Sequence, residues 1–169
     1  MQYILEALAL LAALLLQLVL SPHIAIAGVS PDIVFAVVVS LASFAKFTRG
    51  TVYGAAVGFT LDMLFLRPGF FLLQYTLSGA LAGLVSTNKA TRFIQPIIIC
   101  LPAYFVKEII TVIILNAQGA VVQWLQVAAK IGIGAIYTAA ISFIIYLLAE
   151  LCYKAAGIGR GQEIIFDEK

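Results

Sequence analysis

Polar residues fall in short clusters along this chain, and the stretches between them are almost wholly apolar. The apolar stretches run continuously and do not alternate, which points to helices rather than to strands of a closed barrel. A helix needs about 20 apolar residues to cross a bilayer, fewer when neighbours assist it. On that basis the sequence predicts six helices. The first covers 3–20, and a loop follows over 21–30. Ser30-Pro31-Asp32 opens the second, with Ser30 as N-cap, Pro31 in the first turn and Asp32 near the positive helix end. That helix ends near Phe47, and Lys46 to Gly50 is a polar turn. The third helix reaches Phe65, and Arg67-Pro68-Gly69 turns the chain into a fourth over 70–86. The fifth covers 93–115, and Asn116-Ala117-Gln118-Gly119 breaks the pattern. Residues 121–129 read as an interfacial stretch with Trp124 at headgroup depth. The sixth helix covers 131–153. The expected organisation is one helical domain, 1–153, and a flexible polar tail, 154–169.

The second and third helices are short, and fusing them would give five spans. Two basic residues beside a glycine make a poor membrane centre and a good loop, so the reading stays at six.

Composition turns this pattern into a class. The chain is 63% hydrophobic and 11% charged, with a mean hydropathy of +1.11. Soluble domains are nearer half apolar and a quarter charged. The expectation is an all-α, polytopic membrane protein; 169 residues leave no room for a separate soluble domain. The net charge of +2 gives no case for nucleic-acid binding. Residues 7–20 followed by Ala25-Ile26-Ala27 resemble a cleavable signal. The basic n-region of such a signal is missing, and Glu6 stands in its place. The run therefore reads as an uncleaved first helix.

The basic residues set the orientation. With the N-terminus inside, Lys46, Arg49, Lys89, Arg92, Lys154, Arg160 and Lys169 are cytoplasmic. Arg67 and Lys130 are outside, and Lys107 lies within a helix. Both termini are then cytoplasmic, which suits an even number of spans.

Gly50, Gly54 and Gly58 form a ladder on one helical stripe, and Asp62 continues the spacing. Gly79 and Gly83 repeat it on the fourth helix. Small residues let helix backbones approach closely in lipid. The two faces are expected to pack tightly, within one chain or across a homodimer. A carboxylate within a span costs at least ~2.5–3.5 kcal/mol at the helix centre and normally finds a partner. Asp62 lies roughly 18 Å from the start of its helix, and Lys107 roughly 21 Å from the start of the fifth. The expected buried ion pair is Asp62–Lys107, with Glu108 facing elsewhere. The alternative is an Asp62 that snorkels to the outer interface.

Ser30-Pro31-Asp32-Ile33-Val34 resembles the Pro-Asp helix start of the MreD family. The Gly50, Gly54, Gly58, Asp62 ladder with Asp62-Met63-Leu64 is similar to that family's glycine-rich motif and its aspartate. Arg67-Pro68-Gly69 and then Tyr75-Thr76-Leu77-Ser78-Gly79 are similar to its next segment. The resemblance covers 31–83; Phe59-Thr60-Leu61 departs from the family's glycine-leucine pair. It implies a non-enzymatic inner-membrane component of the bacterial cell-elongation machinery, without cofactor. Implied partners are a bitopic MreC-like protein, the actin-like MreB, RodA and a class-B penicillin-binding protein. The implied six-helix fold is similar to the substrate-binding subunits of energy-coupling-factor transporters.

Such a transporter subunit is the alternative function. Ala9 and Ala13 have the spacing of a face that docks on an energising module. His23, Gln123, Trp124 and Gln126 are the residues available for an outer ligand pocket. The sequence gives little support to an enzyme. It has one histidine, no Ser-His-Asp set and no metal-ligand spacing. Cys100 and Cys152 lie in apolar segments without a CxxC pair and read as small hydrophobes. Glu150 and Lys154 fit an i,i+4 ion pair. The glycines of 157–161 open no helix, so they are no nucleotide fingerprint; an MreB contact is the functional option for that tail.

Overall fold

A computed structural model describes residues 2–20, 23–25, 29–45, 47–67, 69–85, 95–119 and 124–155. Six helices occur among them: α1 (Gln2–Val19), α2 (Ile33–Phe44), α3 (Phe47–Phe65), α4 (Phe70–Val85), α5 (Gln95–Ala117) and α6 (Trp124–Ala155). Lys46, the basic loop with Lys89 and Arg92, Gln123 and the tail from 156 onwards lie outside the described residues.

The shortest helix is the central one. The α2 sequence IVFAVVVSLASF holds no charge and only two serines, and a helix apolar all round sits either in a protein core or in lipid; here it is the core. It touches each of the other five helices. Val34, Phe35, Ala36, Val38 and Val39 have no accessible surface. Twelve residues span roughly 18 Å, well short of a ~30 Å hydrocarbon core.

The closest pairing is α3 against α4, and it is antiparallel. Gly50 faces Gly79, Gly54 faces Tyr75, and Gly58 faces Leu72. A Cβ on Gly54 would overlap the Tyr75 carbonyl, and one on Gly50 the Gly79 carbonyl. A Cβ on Gly58 would come within 2.6 Å of the Leu72 Cα. All three obstacles are backbone, which no rotamer change can move. The ladder is therefore consumed inside one chain. Gly83 is buried one turn beyond Gly79.

The turn expected over Lys46 to Gly50 is shorter, because α2 ends at Phe44 and α3 begins at Phe47, so that Thr48, Arg49 and Gly50 are already helical. Two further boundaries differ from the sequence reading. The stretch at Trp124 is no separate interfacial piece; it is the first turns of α6. Residues 124–130 hold neither glycine nor proline, so nothing stops the helix. At the other boundary α2 starts at Ile33, with Asp32 rather than Ser30 as its N-cap and Pro31 before the helix.

The outward surface is apolar. Ile4, Leu8 and Leu15 on α1, Met63 on α3, Ile109 and Ile113 on α5, and Ile136 on α6 are each more than half exposed. Contiguous apolar surface of this kind calls for a partner or for lipid. α5 and α6 are long and apolar enough to cross a membrane, over Ile97–Ala117 and Trp124–Cys152.

Candidate functional site

Two of the buried carboxylate and ammonium groups, Asp62 and Lys107, lie with Asp32 around two helix starts. The first four N–H groups of any α-helix have no partner within it. In α4 all four are satisfied. Phe70 N–H donates to the Arg67 carbonyl at 3.2 Å, and Leu73 N–H to the Gly69 carbonyl at 3.3 Å. Phe71 N–H donates to Asp62 Oδ1 at 2.8 Å, and Leu72 N–H to Asp62 Oδ2 at 3.1 Å. Gly69 N–H donates to the same Oδ2 at 2.9 Å. Asp62, on the last turns of α3, thus caps the next helix, where its charge also suits the positive helix end.

The turn between them follows from the same residue. Arg67 N–H bonds the Asp62 carbonyl at 3.1 Å, closing α3 in a Schellman turn. Leu66 takes the left-handed position of that turn, at φ +51°.

Asp62 is therefore not the partner of Lys107. Lys107 Nζ lies 2.5 Å from Asp32 Oδ2 and 3.4 Å from Glu108 Oε1. Glu108 belongs to this group instead of facing away. The physical reason is position: the three backbone N–H groups at the start of α4 hold the Asp62 carboxylate there, and the start of α2 brings Asp32 onto Lys107. Depth along a helix does not distinguish the two carboxylates.

Five helices build the group around Asp32. Asp32 Oδ1 accepts the N–H of Phe35 at 2.9 Å, the capping bond of α2. The Tyr75 hydroxyl from α4 reaches both carboxylate oxygens at 2.9 Å. Asp32 N–H donates to Thr138 Oγ1 of α6 at 3.3 Å. Gln17 of α1 completes the helix start. Its Oε1 accepts from Ile33 N–H at 2.6 Å and Val34 N–H at 3.4 Å, and its Nε2 donates to the Pro31 carbonyl at 3.3 Å. The Lys107 ammonium sits among three rings, 5.4 Å from the centroid of Phe35, 6.0 Å from Tyr75 and 5.1 Å from Tyr104, where cation–π attraction adds to the ion pair. Farther along the same α5 face, Gln74 Nε2 donates to Thr111 Oγ1 at 3.0 Å.

Sequence reasoning placed Pro31, Asp32, Asp62 and Lys107 in functional roles and missed Gln17, Tyr75 as a ligand of Asp32, and Thr138. Gln17 had a legible signal: it is the one amide in Leu14-Leu15-Leu16-Gln17-Leu18. Thr138 had none.

At the opposite end Tyr53 O–H donates to the buried Glu6 carboxylate, joining α1 to α3. Lys154 and Glu150 form their i,i+4 pair at 3.2 Å. Both cysteines are free thiols; Cys100 is buried against Ser142, and Cys152 is exposed. Chemically, the site is a fastener. Its carboxylates, ammonium, amide and hydroxyls hold backbone groups or one another, and fix where α2 and α4 begin.

Comparison with family models, with curated proteins and with solved structures finds no match for this chain.

Proposed function

We propose that this chain is a non-enzymatic scaffold of the bacterial inner membrane that serves the cell-elongation machinery. It crosses the membrane six times with both termini cytoplasmic, binds a bitopic MreC-like partner, and through it regulates peptidoglycan synthesis by RodA and a class-B penicillin-binding protein. One observation supports the reading above others. Asp32, Gly50, Gly54, Gly58, Asp62, Tyr75 and Gly79, which carry the resemblance to the MreD family, form one continuous set of contacts among α2, α3 and α4. A motif used this way builds a rigid platform, and a platform is what a scaffold requires. The apolar faces of α1, α5 and α6 then offer lipid or a partner's helix a place to lie.

A transporter subunit is the competing reading, and α1 counts against it. Ala13 is 2% exposed and Ala9 packs on the core, so the pair faces inward rather than toward an energising module.

Replacing the native chain by Gly54→Leu in its own host tests the proposal. Cells should widen and round up, while uptake of small nutrients stays unchanged. Normal cell shape with impaired uptake would contradict the scaffold reading.

A further inference from the structure

The α3–α4 turn and the last turn of α5 enclose a cleft of about 560 Å³, lined by Leu66, Arg67, Gly69, Phe70, Ile114 and Gln118. Three observations bear on what it holds. First, Arg67 is exposed, and among the described residues no carboxylate lies within ion-pair distance of it. Its guanidinium instead lies 5.6 Å from the Phe70 ring centroid. The neighbouring Asp62 carboxylate is held by backbone N–H groups of the next helix start.

Second, Leu66 occupies a left-handed position, φ +51°, with 86% of its surface exposed. Helices that end this way usually place glycine there, because a Cβ is crowded in that conformation. A leucine at this position presents an apolar side chain outward, next in sequence to a cation that no described carboxylate neutralises. Third, the remaining walls include both kinds of group: Phe70 and Ile114 are apolar, and Gln118 adds an amide to the cleft that Arg67 lines.

The geometry points to a seat for one anionic phospholipid, with its phosphate on Arg67 and Gln118 and an acyl chain along Leu66, Phe70 and Ile114. A guanidinium and an amide lining one cleft can both donate to phosphate oxygens, and its apolar walls suit an acyl chain. A free phosphate would use the polar side alone and leave Leu66 without a role. The inference rests on the membrane placement proposed above, with this turn at the outer leaflet. It is independent of which protein partner binds.

The test is native mass spectrometry of the full chain after reconstitution in vesicles of phosphatidylglycerol and phosphatidylcholine in equal amounts. The wild-type chain should retain one phosphatidylglycerol. Arg67→Gln should reduce that adduct about tenfold, the effect of losing one charge-assisted hydrogen bond. Arg67→Lys should restore part of it, and Lys130→Gln should leave it unchanged. Both Arg67 variants change an exposed residue, and thermal unfolding verifies that they remain folded. Equal retention of phosphatidylcholine, an undiminished adduct in Arg67→Gln, or displacement of the lipid by excess inorganic phosphate would each overturn the proposal. None of these results would alter which proteins co-purify with the chain, so the lipid seat and the scaffold reading fail separately.

Discussion

Lys107 on α5 is tied to Asp32, the residue that starts α2, by an ion pair of 2.5 Å across 75 positions of sequence. The pair is largely buried and wrapped by Phe35, Tyr75 and Tyr104. It fixes where the central helix begins against the helix that flanks it.

Removing one member of a buried pair strands the other, at a cost of about 3–5 kcal/mol. Lys107→Met and Asp32→Asn should each lower unfolding stability in detergent by that order, and the double variant should lose less than the sum. The same cycle between Lys107 and Asp62 should be additive. Coupling of Lys107 to Asp62 instead would mean that the carboxylates are wrongly assigned.

Asp62→Ala should cost roughly 3 kcal/mol, since three N–H groups at the start of α4 lose a charged acceptor. Asp62→Asn, which keeps one oxygen, should lose less. Protection of the Phe71 and Leu72 amides from hydrogen exchange would fall in both variants, and α5 amides would stay protected.

Gly54→Ala should force α3 away from α4, because the added carbon meets backbone; overpacking of this kind costs about 1–3 kcal/mol or more. Gly132→Ala on α6 is the control. Nothing lies within 4 Å of the added carbon there, so it should be neutral or gain up to about 1 kcal/mol from helix propensity. SDS-induced unfolding in mixed micelles distinguishes the two.

Leu66→Gly should stabilise the turn by about 1 kcal/mol, by removing a Cβ from a left-handed position. A loss of stability would show that Leu66 holds the fold through contacts of its side chain.

Much of this architecture is legible in the residues themselves. Apolar runs broken at Arg67 and at Asn116 locate the helices, and the Gly50–Gly54–Gly58 spacing marks the face that meets α4. Pairing of the charges was not legible. An i,i+4 ladder ending in Asp62 looks like a carboxylate awaiting a cation. Only the three-dimensional turn brings the amides of Gly69, Phe71 and Leu72 onto it. Asp32 looked like an ordinary helix start at a membrane surface. Its place under Tyr75 and Lys107 depends on α2 being short and enclosed, which no local pattern encodes. Lys154 and Glu150, neighbours on one helix, needed no tertiary information and were read directly.

The most direct measurement of the functional account is affinity purification of the C-terminally tagged chain, at native expression and in mild detergent, followed by mass spectrometry. The account predicts a bitopic MreC-like protein together with wall-synthesis enzymes, lost when Gly54→Leu separates α3 from α4. Recovery of ATPase subunits and a small bound molecule in their place would contradict it and identify a transporter subunit.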